Sequence, residues 1–348
     1  MKTLVISKQE ISHLLPMPEL IQGIREAYVT YSSDKTVKPQ RTTSQIDETS
    51  IVVNIPGYLP GSPLFTVKVN IKVPNNLSIG LPFLTGTILL IDKKNGQLLA
   101  VMDSGLITAM RTGAAGAIGV ECLANSDAQQ VAVIGAGIQA EWQIKALHAV
   151  RRVSRLYIFD IVKSQSKKLS DKISSELGIP TFIASSIKEA IDPSNIAIVT
   201  TQSKTAIITS DMLHAGLHIN AFGADQPGKM ELDADTLNKS LVIVDDKNLA
   251  ITDGALNVAH KNGLLTPNQK YSEIGEVITN KLAGRSSKEQ TTVFGNVGLA
   301  FQDLVACSIV YKNALKFGKG SWINLDSSIN LPVPAQVNHA SFLKKSKL

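Results

Sequence analysis

Residues 131–143 read VAVIGAGIQAEWQ: an apolar run, a glycine-rich turn and the start of a helical pattern. Gly135, Gly137 and Ala140 have the spacing G-x-G-x-x-A. The first glycine permits a tight turn, the second lets a pyrophosphate approach the backbone, and the small third residue lets helix and strand pack closely. This stretch therefore predicts a dinucleotide-binding turn between a strand and a helix of a parallel sheet.

The chain around this turn alternates short apolar runs with amphipathic segments. The later runs are RLYIFD, IAIVTT, LHINAFG and LVIVDD. This alternation is typical of a parallel sheet with helices on both faces, so we predict an α/β fold with a Rossmann doubly wound sheet over residues 125–300. The other predicted units are a second, α+β domain over residues 1–124, a C-terminal helix over 301–324 that returns to it, and a peripheral tail over 325–348.

Composition and charge limit the function classes. The 348 residues are 44% hydrophobic and 18% charged, as in ordinary globular proteins, and the net charge of +6 includes the tail sequence KKSKL. No basic stripe interleaved with aromatic residues is present, which disfavours a nucleic-acid partner. The N-terminus lacks a signal-peptide core and the apolar runs are short, so we predict a soluble cytoplasmic protein without a membrane partner. Cys122 and Cys307 are predicted to be buried free thiols, and the scattered histidines predict no metal site.

The acid at the end of the next strand indicates which dinucleotide binds. Asp160 ends the run RLYIFD, and no arginine follows it directly. A carboxylate at this place accepts hydrogen bonds from the ribose hydroxyls and repels a 2′-phosphate. We therefore predict NAD as the cofactor, with NADP less favoured.

Three cations precede the nucleotide-binding segment in places that suit a substrate carboxylate. Lys68 lies on the polar face of the alternating strand LFTVKVNIKV, Arg111 lies in the small-residue helix AMRTGAAG, and Arg41 precedes a strand. Lys68 and Arg111 together would form a carboxylate clamp, because Arg offers a bidentate fork and Lys a point charge. The alternative is a solvated polar face, and we interpret Lys72 on the same strand in that way.

Asp225 lies in GADQPGKMEL, residues 223–232, directly after an apolar strand. Strand ends near glycine turns are where α/β proteins place their chemistry, which favours an acid/base role. Asp and Gly also favour turns through local hydrogen bonds, so a purely structural role remains open at this point.

Together these segments resemble the ornithine cyclodeaminase/mu-crystallin family. The resemblance covers roughly residues 1–324 and rests on KVNIKVPNN, MRTGAAGAIG, IGAGIQAEWQ, HINAFGADQPGKMELD and TVFGNVGLAFQD. It implies a homodimer in which the first domain carries dimerisation and substrate residues, and it implies catalytic roles for Asp225 and Lys68. The implied substrate contacts are Arg41, Lys68, Arg111 and Val297. The implied cofactor contacts are Arg111, Thr112, Gly135, Gly137, Ile138, Gln139, Asp160, Thr200, Thr201, Ala221, Gly223, Lys229 and Asn296.

Within the family the motifs are most similar to archaeal-type alanine dehydrogenases, and the Asp of GAD favours the branch that oxidises amino acids. Val53, Gly295 and Ala255 stand where ornithine cyclodeaminases or other members carry acids. Their loss favours a small or uncharged substrate. The resemblance thus implies NAD-dependent hydride transfer at the Cα of a small α-amino acid or its imine. The alternatives are an ornithine cyclodeaminase with catalytic NAD and a non-catalytic, cofactor-bound ligand-binding protein of crystallin type.

Overall fold

The computed structural model describes residues 2–33, 40–267 and 271–325, and these contain two β-sheets. The strands of the first sheet are β1 (Lys2–Ile6), β2 (Thr42–Gln45), β3 (Ile51–Gly57), β4 (Leu64–Lys72), β5 (Leu84–Asp92), β6 (Leu98–Asp103) and β15 (Ser321–Asn324). They lie in the order β15-β1-β6-β5-β4-β3-β2, and all pairs are antiparallel except β1 with β6. A hairpin turn that contains Asn95 and Gly96 joins β5 to β6.

The second sheet is entirely parallel. Its strands are β7 (Gln130–Ile134), β8 (Arg155–Phe159), β9 (Thr181–Ile183), β10 (Ile196–Val199), β11 (His218–Ala221), β12 (Leu241–Val244), β13 (Ser272–Glu273) and β14 (Thr292–Gly295). Their order is β13-β12-β14-β11-β10-β7-β8-β9. The chain runs outward from β7 to β9 and then crosses to β10, so the strand order reverses between β7 and β10. Ligands of doubly wound sheets bind at the carboxyl ends of the strands beside this point. The predicted fold class is confirmed.

Helices cover both sheets. They are α1 (Lys8–Leu14), α2 (Met17–Ser33), α3 (Ser104–Leu123), α4 (Ile138–Val150), α5 (Lys163–Leu177), α6 (Ile187–Ile191), α7 (Ala234–Lys239), α8 (Lys247–Thr252), α9 (Asn257–Lys261), α10 (Ile274–Ile278) and α11 (Ala300–Phe317).

Helix α3 joins the two halves of the structure. It begins at the Asp103 cap, whose carboxylate accepts the backbone N–H of Leu106. Its small residues allow close packing on α4: a Cβ atom at Gly113 would lie 2.4 Å from the carbonyl oxygen of Trp142. Helix α3 has 20 residues and a mean hydropathy of 1.2, so by length and composition it could cross a membrane. The prediction from short apolar runs did not identify this helix. In the structure, 83% of its most apolar stretch is buried inside the protein.

Helix α11 packs against α2, α3 and the first sheet. The prediction of a helix over residues 301–324 is wrong for the residues after Phe317. Gly318 adopts a left-handed conformation (φ 61°) that ends the helix, and β15 then pairs antiparallel with β1. Cys307 on α11 is buried as predicted, whereas Cys122 on α3 is only half-buried; both are free thiols. Residues 326–348 of the predicted tail lie outside the described residues.

Strand β4 turns its polar side towards the protein interior. Thr66, Lys68, Asn70 and Lys72 are buried, whereas the apolar residues between them are only half-buried. The interpretation of Lys72 as part of a solvated face is therefore wrong, because only 9% of this residue is exposed. Buried lysines need anionic partners, so the inner face of β4 is a candidate site.

Candidate active site

The turn between β7 and α4 fits the pyrophosphate of a dinucleotide. Gly135 has φ +91°, and a Cβ atom there would lie 2.9 Å from the carbonyl oxygen of Thr200. Helix α4 begins at Ile138 after Gly137, which has no side chain to cap the first N–H groups. Among the described residues, the buried Oε1 of Gln139 has no hydrogen-bond partner. Unused N–H groups at the start of a helix form an anion site.

Asp160 lies beside this turn, immediately after β8. One carboxylate oxygen accepts the backbone N–H of Ala136 at 2.7 Å, and the other accepts the backbone N–H of Val162 at 2.8 Å. These two bonds fix the carboxylate at the edge of the glycine turn. The position suits the hydroxyls of an adenosine ribose, as the sequence predicts.

The fixed position of the Asp160 carboxylate leads us to expect that the protein distinguishes NADH from NADPH. We expect NADH to bind more tightly than NADPH, because Asp160 repels a 2′-phosphate. Asp160→Ser should narrow the gap between the two dissociation constants. Fluorescence titration of both proteins with both cofactors measures this, and tighter NADPH binding by the unmodified protein would refute the assignment.

Asp225 lies in the loop after β11, between two lysines. Its carboxylate accepts one bond from Nζ of Lys72 at 2.8 Å and another from Nζ of Lys229 at 2.6 Å. Arg41 donates to the backbone carbonyl of Asp225 at 3.3 Å and forms an ion pair with Asp253 at 2.8 Å. The cations that contact the Asp225 carboxylate are therefore Lys72 and Lys229, whereas Lys68 and Arg111 contact Asp303.

The two lysines determine the protonation state of Asp225. Burial alone would raise the pKa of this carboxyl, but Lys72 and Lys229 outweigh that effect and lower the pKa to about 2. Burial also lowers the pKa of Lys72, although Asp225 opposes the change. The Asp225 carboxyl, which lies between Nζ of Lys72 and Nζ of Lys229, is therefore ionised at neutral pH.

Lys68 and Arg111 meet in a second cluster, as the proposed clamp requires. Both contact Asp303 of α11, which was not predicted: Nζ of Lys68 lies 2.5 Å from one carboxylate oxygen, and Nε of Arg111 lies 3.2 Å from the other. Arg111 also donates to Gln302 at 2.9 Å. Burial lowers the pKa of Lys68 to about 8 and Arg111 adds to this, while Asp303 opposes it.

The remaining predicted contacts lie along the carboxyl ends of the parallel strands. Thr200 and Thr201 follow β10, Ala221 ends β11, Gly223 follows it, and Asn296 and Val297 follow β14, while Thr112 lies on α3 beside Arg111. The side chain of Asn296 donates to Tyr28, and its buried Oδ1 has no partner within the described part of the chain. Val297 donates its backbone N–H to Asp245. The roles of these residues stay predictions.

Sequence reasoning missed the residues that hold the site loops in place. Glu231 accepts the backbone N–H groups of Thr201 and Gly223, each at 2.7 Å, and so connects the loops after β10 and β11. Asn257 accepts the N–H of Gly228 and donates to the carbonyl of Lys229. In the sequence, Glu231 and Asn257 are single polar residues without a recognisable motif. No spacing rule connects such a residue with the backbone groups that it binds.

Known proteins share this architecture over most of the chain. The profile of the ornithine cyclodeaminase/mu-crystallin family matches residues 1–318. The chain is 33% identical to an alanine dehydrogenase of Archaeoglobus fulgidus over 325 residues, which cover 93% of this chain and 98% of the relative.

Two solved structures are similar at TM-score 0.88. One is an archaeal alanine dehydrogenase dimer with bound NAD, 33% identical, covering 93% of this chain and all of the other. The second is the Thermococcus litoralis Δ1-pyrroline-2-carboxylate reductase in complex with NADH and L-proline, 32% identical, covering 92% of this chain and 99% of the other. The match of sequence and fold shows that the chain belongs to the ornithine cyclodeaminase/mu-crystallin family.

Proposed function

We propose that the protein is an NAD-dependent enzyme that transfers hydride at the Cα of a small α-amino acid or its imine. The observation that carries this proposal is the position of Asp225: it follows β11 on the same edge of the sheet as the glycine turn after β7. Similarity to an alanine dehydrogenase and to a pyrroline-2-carboxylate reductase supports the same chemistry.

The cationic residues would bind and orient the substrate. Lys68 and Arg111 share one carboxylate, Asp303, and so retain donors for a substrate carboxylate. Arg41 supplies a further donor beside Asp225. NAD, when bound, supplies a nicotinamide ring that takes or gives the hydride.

Asp225 would move the proton. A substrate ammonium must lose a proton before its Cα can give up a hydride, and an ionised carboxylate is the group that accepts it. In the reductive direction the protonated carboxyl would return the proton to the nitrogen.

Three positions at which family members carry acidic residues have uncharged residues in this chain. This difference argues against a substrate with a cationic side chain. Val53 is buried on β3. A Cβ atom at Gly295 would lie 3.2 Å from Cβ of Ala255, so these two positions are neighbours that lack a carboxylate. Ornithine would therefore meet no counter-charge at any of the three positions.

The half-buried apolar side of the first sheet supports a homodimer. The half-buried residues on this side include Val67, Leu89 and Val101, which are paired across the adjacent strands β4, β5 and β6. Apolar faces of this kind mark interaction surfaces, and a second copy of the chain would cover this one. Light scattering should give twice the mass of the chain, and a monomer at micromolar concentration would exclude this assembly.

We also propose a cytoplasmic location, which fractionation of the source cells tests.

The reaction class can be tested with a substrate panel in which NADH and ammonia are followed separately. We expect NADH to accumulate with a small α-amino acid and NAD, or to be consumed with the matching 2-oxo acid plus ammonia or a cyclic imine. Ornithine should be a poor substrate. Release of ammonia and proline from ornithine without net NADH would establish a cyclodeaminase instead, and ligand binding without turnover would establish a binding protein.

A further inference from the structure

The inner face of β4 connects the two charged clusters of the site. Lys68 and Lys72 are four residues apart on one strand, so both side chains emerge from the same face, with their Cα atoms about 13 Å apart. Lys68 belongs to the cluster with Arg111 and Asp303, and Lys72 belongs to the cluster with Asp225 and Lys229. The two clusters therefore flank a single stretch of the inner face.

Each cluster contains two cations and one carboxylate. By direct ion pairs, Lys68 and Arg111 share Asp303, and Lys72 and Lys229 share Asp225, so each cluster has one more cation than carboxylate. The buried Glu231 acts on Lys229 without an ion pair, and its carboxylate is hydrogen-bonded to Thr201 and Gly223. The lysine side chains have little access to water, with exposed fractions of 1%, 11% and 9% for Lys68, Lys72 and Lys229. A buried positive charge without a counter-ion is costly, so each cluster favours one additional anion.

We propose that Lys72 and Lys229 form a subsite for a second carboxylate, so that the preferred substrates are small α-amino or α-imino acids with an acidic side chain. This inference rests on the proposed function of the same site. The cluster of Lys68 and Arg111 takes the α-carboxylate, and the cluster of Lys72 and Lys229 takes the distal one.

The family resemblance also implies that Lys229 contacts the cofactor, so Lys72 is the member of this cluster that serves the substrate alone. The negative charge of NAD lies on its pyrophosphate, for which the first turn of α4 supplies the N–H groups. A neutral substrate side chain would leave the second cluster with its excess charge, and a cationic one would be repelled by it. Arg41 already has its own carboxylate partner in Asp253.

The subsite also couples binding to proton transfer. A distal carboxylate that draws Lys72 away from Asp225 removes one of the two cations that depress the pKa of Asp225, so its carboxylate becomes a better base. An acidic substrate would in this way activate the group that accepts its proton. A neutral substrate would leave Asp225 between both lysines, where it is a weak base.

Near-isosteric amino-acid pairs test the inference. L-aspartate and L-asparagine differ in charge but hardly in shape, and so do L-glutamate and L-glutamine. We expect the acidic member of at least one pair to bind the NADH-bound protein at least about tenfold more tightly by calorimetry, where no turnover occurs, and to have a correspondingly higher kcat/KM with NAD.

Two variants connect this preference with Lys72. Lys72→Met should bring the affinities of the acid and the amide to within about threefold of each other, whereas Lys72→Arg, which keeps the charge, should retain the preference. Lys68→Met should weaken both members of a pair by a similar factor, because both carry the α-carboxylate. Melting temperature and NADH affinity report whether each variant is folded.

The outcomes separate this inference from the proposed function. Turnover of alanine or proline without any preference for acids over amides in the unmodified protein would overturn the subsite and leave the function standing. An acid preference that survives in a folded Lys72→Met variant would also overturn it. Absence of NAD-linked turnover with every amino and imino acid would remove the proposed function itself.

Discussion

Replacing Asp225 by asparagine is expected to lower kcat by at least about 10²-fold, because general acid/base groups typically contribute this much or more. Asparagine keeps the size of the side chain and one acceptor oxygen for a lysine, but its amide nitrogen cannot accept the second lysine bond and the group cannot accept a proton. Steady-state rates of the variant, measured near neutral pH with the best substrate of the panel, give the effect directly. The variant should still fold and bind NADH, since the nucleotide turn lies after a different strand.

Asp253→Asn is the matched control for this prediction. Asp253 is also an acid of this region, paired with Arg41, but no proton transfer is assigned to it. We expect it to change kcat by less than about tenfold. If Asp225 served the loop alone, its asparagine variant would melt at a lower temperature with turnover largely intact, and that pattern would contradict the catalytic role.

Replacing Asp303 by asparagine is expected to cost about 3–5 kcal/mol in the free energy of unfolding. Only 2% of the Asp303 side chain is exposed, and it is the carboxylate shared by Lys68 and Arg111. Its loss leaves two buried cations with no anion between them. Since Asp303 opposes the lowering of the Lys68 pKa, the variant should also lower that pKa further.

Urea denaturation at a fixed protein concentration measures this effect, because the stability of the proposed dimer would depend on concentration. Asp171→Asn provides the control: Asp171 pairs with Lys167 on α5, with both side chains at least 60% exposed. Exposed pairs contribute about 1 kcal/mol or less. Equal stability of the Asp303 and Asp171 variants would mean that the buried cluster contributes no more than a surface pair.

The nucleotide-binding half could be predicted from the sequence because its signals are local. The glycine turn at Gly135, the helix that follows it and Asp160 lie within a short segment, and strand and helix periodicity supplies the rest. The central parallel strands β10, β11 and β14 are fully buried, and such strands tend to be apolar runs that are easy to recognise.

The charge pairing could not be predicted, because it connects distant parts of the chain. Lys68 and Asp303 are 235 positions apart, and Lys72 and Asp225 are 153 apart. Alternation on β4 shows that Lys68 and Lys72 share a face, but it does not show which face is buried. The structure buries the polar side, and Lys68 pairs there with Asp303 of α11.

The short strand after α11 could not be predicted from the sequence either. Gly318 and Gly320 follow α11 and indicate a stop, yet the strand β15 is visible only through its pairing with β1. A four-residue strand has too little periodicity to be recognised without its partner.

The most direct test of the proposed function is to follow the hydride itself. The protein is given NADH carrying deuterium at the transferred position, together with a 2-oxo acid and ammonia or with a cyclic imine, and the amino-acid product is analysed by mass spectrometry and NMR. The proposed function predicts one deuterium at Cα of the product. A product without deuterium at Cα, or no product with any of these substrates, would contradict it.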